Sequence, residues 1–333
     1  MADLRVGVLG ATGYTGAVAA MLVDRHPSFE LVYVTARSDA GVQLDHVHPR
    51  LRIPLTLETF DSDQHGDVDA AIVAYPHGAA APVVAQLREK GVRVVDLSAD
   101  FRLRDPAVYA QWYGDHGAPD LLDEAVYGLP ELYREQIAKA DLVANPGCYP
   151  TATLLALAPL ARAGLIGDVI VDAKSGVSGA GRKPLHGTHF VTANEDMRAY
   201  KVEGHRHTPE IEQELHVLGA SAKITFVPHL IPLTQGELVS CYVTPHRDTD
   251  DLALHDLYVE AYAKERWVEL TQGTPGASEV RETNYCRVSV HMDSRTGRIL
   301  VFASLDNLWK GAASQAIQNL NLMFGLDEGE GLA

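Results

Sequence analysis

Cysteine is scarce in this sequence. The three in 333 residues, Cys148, Cys241 and Cys286, are too few and too scattered for a disulfide framework. Long apolar runs are missing too: nothing approaches the ~18 consecutive apolar residues that a membrane-spanning helix requires. Met1-Ala2-Asp3-Leu4-Arg5-Val6 leads into a strand pattern without the anatomy of a signal peptide, so the cytosol is the expected compartment. Positive charge is short as well, with 28 lysines and arginines against 44 aspartates and glutamates and a net charge of −16. That balance argues against a general nucleic-acid binder and against docking on an anionic membrane. It leaves room for an anionic substrate in a locally basic site. The remaining composition, 46% hydrophobic and 22% charged, is that of a soluble globular protein with enough chain for two domains.

The first third of the chain alternates apolar strand-like runs with helical stretches. Arg5 to Leu9 reads as a buried strand and Gly16 to Arg25 as a helix, and strands continue at Leu31 to Thr35, Ala70 to Ala74, Val92 to Leu97 and Leu142 to Ala144. This order predicts a parallel, doubly wound α/β sheet of Rossmann type. After Cys148 the pattern changes. An Ala/Leu-rich helix, Thr151 to Ala163, is followed by strands at Val169 to Ala173, Lys223 to Pro228, Glu237 to Thr244, Arg287 to Met292 and Ile299 to Leu305. Strands with few helices between them predict an α+β domain with a mostly antiparallel sheet. A last helix, Gly311 to Gly325, has a glycine placed to serve as its C-cap.

Between the first strand and first helix, Gly10-Ala11-Thr12-Gly13-Tyr14-Thr15-Gly16 spaces glycines at 10, 13 and 16. Glycines there let the backbone turn tightly and approach a pyrophosphate, and the helix N-terminus supplies N–H donors. A tight turn with no ligand is the plain alternative. The end of the second strand chooses the cofactor. An acidic residue there would favour NAD, but the chain reads Ala36-Arg37-Ser38-Asp39. Arg37 and Ser38 suit the 2′-phosphate of NADPH or NADP+.

Asn145-Pro146-Gly147-Cys148-Tyr149-Pro150 places a thiol just before a helix. A helix N-terminus favours the thiolate, the nucleophilic form. A lone cysteine is commonly a small buried hydrophobe, and Cys241 and Cys286, in or beside strand patterns, are read as core. The fifteen histidines raise a metal hypothesis. His205-Arg206-His207-Thr208-Pro209-Glu210 has its histidines two apart rather than four, with an arginine between them, and no ligand set stands at zinc spacing. No metal is expected, and acid–base work suits these histidines better. Two segments read as anion sites: Asp96 to Arg102, offering Ser98 and Arg102, and the Gly/Ser loop Ser175 to Lys183, ending in Arg182 and Lys183.

These segments together resemble the N-acetyl-gamma-glutamyl-phosphate reductase family, which is related to aspartate-semialdehyde dehydrogenase. The resemblance runs from Val6 to about Gly325 and rests on six motifs in order: Gly10 to Gly16, Asp96 to Arg102, Asn145 to Pro150, Ser175 to Arg182, His205 to Ile211, and Lys310-Gly311-Ala312-Ala313. It implies a dinucleotide-binding domain over residues 1–147 and 311–333, a catalytic and oligomerisation domain over 148–310, NADPH as cofactor, and a homodimer or homotetramer. It implies Cys148 as nucleophile and a histidine of the His-Arg-His segment as acid–base, with His207 preferred over His205. Gly10, Thr12, Gly13, Tyr14, Thr15, Gly16, Arg37, Ser38, Ser178 and Gly179 would then meet the cofactor. Ser98, Arg102, Asn145, Arg182, His205 and Glu210 would meet N-acetyl-L-glutamyl 5-phosphate. One position departs from the family's usual Arg-Gly pair, which is here Gln235-Gly236. The neighbouring expectations are a carrier-linked aminoadipate-phosphate reductase and an aspartate-semialdehyde dehydrogenase; Asn145-Pro146 and Pro209 favour the arginine-pathway family over the first. A nucleotide-sensing regulator that keeps the first domain and performs no reaction is the reading from another class.

Overall fold

The structure is a computed structural model that describes residues 4–332. Two compact units form, one from the chain up to Gly147 together with the chain from Ala312 onward, the other from Cys148–Gly311.

The first unit is built on seven strands: β1 Leu4–Leu9, β2 Phe29–Thr35, β3 Leu57–Glu58, β4 Ala70–Val73, β5 Arg93–Asp96, β6 Val126–Tyr127 and β7 Leu142–Ala144. Their order is β3-β2-β1-β4-β5-β7-β6, with every pairing parallel. Val8, Ile72, Val73, Val94, Val95, Leu142 and Val143 are all fully buried, as strands covered on both faces by helices require. The strand order reverses between β1 and β4, and in such sheets ligands bind at that switch, outside the carboxyl ends of the strands. The last helix, Ser314–Met323, belongs to this unit and packs on the helices Tyr14–Asp24 and Pro130–Ile137. It ends in a left-handed Gly325 (φ +68°), where Gly325 N–H bonds Leu322 O and Leu326 N–H bonds Asn321 O. That pairing is a Schellman cap. The expected start of this helix at Gly311 is shifted, because Trp309–Ala313 forms a wider π turn in which Gly311 N–H reaches back five residues to Asp306 O.

The second unit carries β8 Ile166–Gly176, β9 Arg198–Ala199, β10 Ile224–Ile231, β11 Glu237–Pro245, β12 Val268–Leu270, β13 Cys286–Asp293 and β14 Arg298–Leu305. The sheet order is β12-β13-β14-β11-β8-β10-β9. Four of its pairings are antiparallel and two, β8 with β10 and β12 with β13, are parallel. The long connection between β8 and β10, which contains the helix Thr208–Val217, permits a crossover that a hairpin would not. One sheet face is covered by the helices Cys148–Arg162 and Asp251–Tyr262. The other bears rows of cross-strand neighbours such as Ile170, Tyr242 and Leu300, which are partly exposed.

The helix expected from Thr151 begins at Cys148 instead. Pro150 does not prevent this, since an N–H in the first turn has no intrahelical acceptor to lose. Pro159, inside the helix, does remove a bond, and would leave Leu155 O unsatisfied; the Tyr262 hydroxyl donates to that carbonyl.

Candidate active site

In the first unit, β1 runs into the glycine loop at the switch between β1 and β4. Gly10 has φ +84°, and a Cβ there would lie 2.5 Å from Ala74 O at the end of β4. A Cβ on Gly16 would lie 2.3 Å from Gly10 O, so the helix must meet the loop at a glycine. Gly13 differs from both. A Cβ on it would meet only Gly10 O, at 3.6 Å, and as N-cap of the helix Tyr14–Asp24 it brings no side chain over the first N–H groups. The open space at Gly13 and the uncapped helix start, with no acidic residue in its first turn, fit a pyrophosphate. His48 Nε2 lies 3.0 Å from Thr12 O and steadies the loop from outside. Arg37 and Ser38 are exposed just past β2, and Ser38 Oγ donates to Asp39 at 3.0 Å.

The Asp96 to Arg102 segment spends much of its polar capacity on the fold. Buried Asp96 accepts from Ser98 N–H at 3.0 Å and from Ser98 Oγ at 2.6 Å. Burial, together with Asp100 nearby, pushes its carboxyl up to about 7. Asp100 accepts from Gly78, Ala80 and Ala81 N–H, capping the helix Ala81–Glu89, and from the Tyr109 hydroxyl. Arg102, buried, donates from Nε to Asn145 O and from Nη2 to Leu97 O, both at 2.8 Å, and so ties together the ends of β5 and β7. Asn145 is fully buried; its Nδ2 donates to Ala312 O and its Oδ1 accepts from Asn319 Nδ2.

In the second unit Cys148 is the first residue of its helix and is partly exposed, whereas Cys241 and Cys286 are buried. Burial pushes the Cys241 thiol far above its ordinary value. Tyr149 turns inward from the residue beside Cys148, donating its hydroxyl to His229 O at 3.1 Å and sharing a hydrogen bond with Tyr200. Its ring is edge-on to both His205 and His207, each 5.9 Å away, and the two imidazoles lie 4.8 Å apart. The segment thus brings Cys148, Tyr149, Tyr200 and both histidines into one neighbourhood.

The histidines have different environments. His205 is buried among Tyr149, Tyr200 and Phe226, and its Nδ1 accepts from His207 N–H at 3.2 Å, which leaves the ring proton on Nε2. Burial, then the charges of Lys201 and Arg206, push it down to about 4. His207 is partly exposed at the N-cap of the helix Thr208–Val217, and Glu210 is buried in that helix's first turn. Ser178 accepts from Asn307 Nδ2 at 3.0 Å, Gly179 is exposed, and Arg182 is exposed in the loop beyond a left-handed Gly181. Among the described residues, no three His, Cys, Asp or Glu side chains stand together as metal ligands.

Two groups here escaped the sequence reading. Glu237, the first residue of β11, is fully buried. Asp306, after β14, accepts from Gln235 Nε2 at 2.9 Å and from Glu282 N–H at 2.7 Å. A legible sign of Glu237 did exist: it is in period-two phase with Val239, Cys241 and Val243, the strand's inward face.

Residues 5–140 match the semialdehyde dehydrogenase NAD-binding domain and residues 148–307 the semialdehyde dehydrogenase dimerisation domain. An N-acetyl-gamma-glutamyl-phosphate reductase of Desulforudis audaxviator is 48% identical, covering 99% of this chain and 98% of the relative. The chain belongs to this reductase branch of the semialdehyde dehydrogenase family. A reductase of the same name from Halorhodospira halophila is likewise 48% identical over 99% and 98% of the two chains. Among solved structures, aspartate semialdehyde dehydrogenase II of Vibrio cholerae superposes with a TM-score of 0.75 at 18% identity, covering 98% of this chain and 99% of that one. The Candida albicans aspartate semialdehyde dehydrogenase with NADP gives 0.73 at 14% identity, over 97% and 99%. At such identities these structures speak for the fold. No helix among the described residues is long and apolar enough to cross a membrane.

Proposed function

We propose that the protein reduces N-acetyl-L-glutamyl 5-phosphate to N-acetyl-L-glutamate 5-semialdehyde and phosphate, with NADPH, by way of a thioester on Cys148. The observation that carries this reading is the partly exposed thiol at a helix N-terminus, with His207 edge-on to the ring of the adjoining Tyr149, in a chain nearly half identical to reductases of that name along its whole length.

Residues Gly10 to Gly16 hold the cofactor's pyrophosphate, with Arg37 and Ser38 for its 2′-phosphate and Ser178 and Gly179 toward its nicotinamide. When bound, the cofactor supplies a hydride to the thioester carbon. The chain's own residues do the rest. Cys148 sulfur attacks the acyl carbon and phosphate departs. Arg102 and Arg182 are the cations assigned to the phosphate; Ser98 and Asn145 shape its surroundings through the bonds described above. His207 handles protons at the reacting oxygens. His205, held neutral, orients His207, and Glu210 fixes the first turn of the helix that His207 caps.

The uncovered face of the second sheet, with Ile170, Tyr242 and Leu300, is assigned to a second copy of the chain, giving a homodimer or homotetramer, and the cytosol is its proposed compartment. Sedimentation equilibrium tests the assembly. The reaction is tested by phosphate-dependent reduction of NADP+ with N-acetylglutamate semialdehyde, compared with aspartate semialdehyde. Preference for the second aldehyde would overturn the substrate assignment. Cys148→Ser is expected to bind NADPH and to lose turnover; retained turnover would overturn the thioester.

A further inference from the structure

Between Arg182 and His205 the chain makes a long excursion from the second sheet, to which the scheme above gives no work. It meets the sheet again at β9, where Arg198 pairs with Leu230 and Ala199 with His229, and Tyr200 N–H donates to Pro228 O at 3.0 Å. Two non-glycine residues flanking that strand, Glu195 (φ +59°) and Lys201 (φ +48°), have left-handed backbone. Such backbone is disfavoured for residues with side chains and gathers at ligand sites.

A cavity of about 120 Å³ lies between the excursion and β10. One water needs only ~10–15 Å³ of such space, so the cavity has room for a group of several heavy atoms. Its walls are mainly apolar: Val177 from the Gly/Ser loop, Ala193 from the short helix Phe190–Ala193, and Leu230 and Ile231 from β10. Arg198 and Asp196 bring opposite charges to it; they pair at 3.0 Å and are both well exposed, so the pair adds little stability by itself. Tyr200 also lines the cavity, and its ring stands edge-on to His205 at 5.5 Å. His205 in turn lies 4.8 Å from His207 and 5.9 Å from Tyr149, the neighbour of Cys148. The cavity therefore borders the reacting neighbourhood through Tyr200, and through Val177 it borders the loop assigned to the nicotinamide.

We propose that this cavity holds the N-acetyl and α-carboxylate end of the substrate. The acetyl methyl packs on Val177, Ala193, Leu230 and Ile231, and the α-carboxylate binds the Arg198 guanidinium, from which it displaces Asp196. This rests on the reading of the substrate as N-acetyl-L-glutamyl 5-phosphate. The two ends of the cavity match the two groups. A guanidinium takes a carboxylate through parallel N–H donors, and the apolar wall accepts a methyl group. The free ammonium of an aspartyl substrate would instead lose water against an apolar wall and stand beside a like charge. The α-carbon is three carbon–carbon bonds from the carbon that Cys148 attacks, a short span that suits a cavity bordering the same side-chain cluster.

Steady-state, phosphate-dependent reduction of NADP+ by N-acetylglutamate semialdehyde, on the full chain, tests this. Arg198→Gln is expected to raise KM about 10-fold and to leave kcat nearly unchanged, as the loss of one charged contact made throughout the reaction would. Asp196→Asn removes the competitor for Arg198 and should not raise KM. A rise equal to that of Arg198→Gln would make the pair purely structural and overturn the carboxylate contact. Both residues are exposed, so neither substitution threatens the fold. Ala193→Leu fills the cavity and is expected to raise KM for the N-acetyl aldehyde about 10-fold, and the N-formyl analogue, one methyl smaller, should recover most of that loss. An equal loss for both acyl groups, or none, would overturn the acetyl assignment. No turnover of N-acetylglutamate semialdehyde by the wild type would overturn the substrate reading and the cavity's role with it. Turnover with unchanged KM in Arg198→Gln and Ala193→Leu would overturn the cavity's role alone.

Discussion

Gly311 stands against Cys148 so closely that a Cβ on it would lie 2.7 Å from Cys148 Cβ and 3.2 Å from both Cys148 Cα and Asp306 O. The π turn Trp309–Ala313 sets this approach, because it places Gly311 N–H on Asp306 O. Gly311→Ala must therefore move the helix start or open the turn. We expect a destabilisation of about 1–3 kcal/mol, the usual cost of overpacking a tight site, and slower labelling of Cys148. Chemical denaturation alongside iodoacetamide kinetics checks both. Unchanged labelling would mean that the turn yields without disturbing the thiol.

The helix that begins at Cys148 has two carbonyls that accept from tyrosines outside it. Pro159 cannot donate to Leu155 O, and Tyr262 does so in its place, while Tyr258 donates to Ala156 O. Tyr262→Phe is expected to cost about 1 kcal/mol, the net worth of one such bond or slightly more. In a Pro159→Ala background, residue 159 regains its N–H and the same substitution should cost less. A double-mutant cycle by urea denaturation measures the difference, and additivity within error would refute the coupling.

Much of this architecture was legible in the sequence because its signals are local. Glycines 10, 13 and 16 lie between a buried strand and a helix, and the apolar strands of the first sheet follow from composition alone. Cys148 declared itself by position before an Ala/Leu-rich helix. Its place inside the first turn was missed, because Pro150 reads as a boundary unless its missing N–H is recognised as harmless there. Glu237 was missed for another reason. A glutamate at a strand start reads as solvent-facing by residue type, although its period-two phase with Val239, Cys241 and Val243 puts it on the buried face. Ser98 and Arg102 looked like anion donors because residue type carries no record of what a hydroxyl or guanidinium already bonds. Asp96 and the carbonyls of Leu97 and Asn145 occupy much of that capacity.

His205 makes the stability of the fold depend on pH. His205 folds with its imidazole pushed down to about 4, first by burial, from an ordinary value of 6.5. The unfolded chain then binds a proton that the native state refuses. The stabilisation is complete above pH 6.5 and is lost as pH falls toward 4, and it amounts to about 3 kcal/mol at most. Urea denaturation at pH 7 and at pH 5 should show this loss in the wild type, and His205→Gln should flatten it. His207→Asn should leave the slope in place and lower turnover by about 100-fold or more. A flattened slope in His207→Asn would assign the acid sensitivity to the wrong ring.

In the proposed reading cofactor choice rests on Arg37, exposed past the end of β2 where an acidic residue would favour the 2′-hydroxyl of NADH. Ser38 is already engaged by Asp39, so the guanidinium is the charge proposed for a 2′-phosphate. A charge-assisted hydrogen bond contributes about 1.5–3 kcal/mol, so Arg37→Ala should weaken NADPH binding about 10- to 100-fold and leave NADH binding nearly unchanged. Ser38→Ala should cost far less, because its hydroxyl must first leave Asp39. Fluorescence titration with both nucleotides separates these effects, and an equal loss for NADH and NADPH would place Arg37 outside the 2′-phosphate contact.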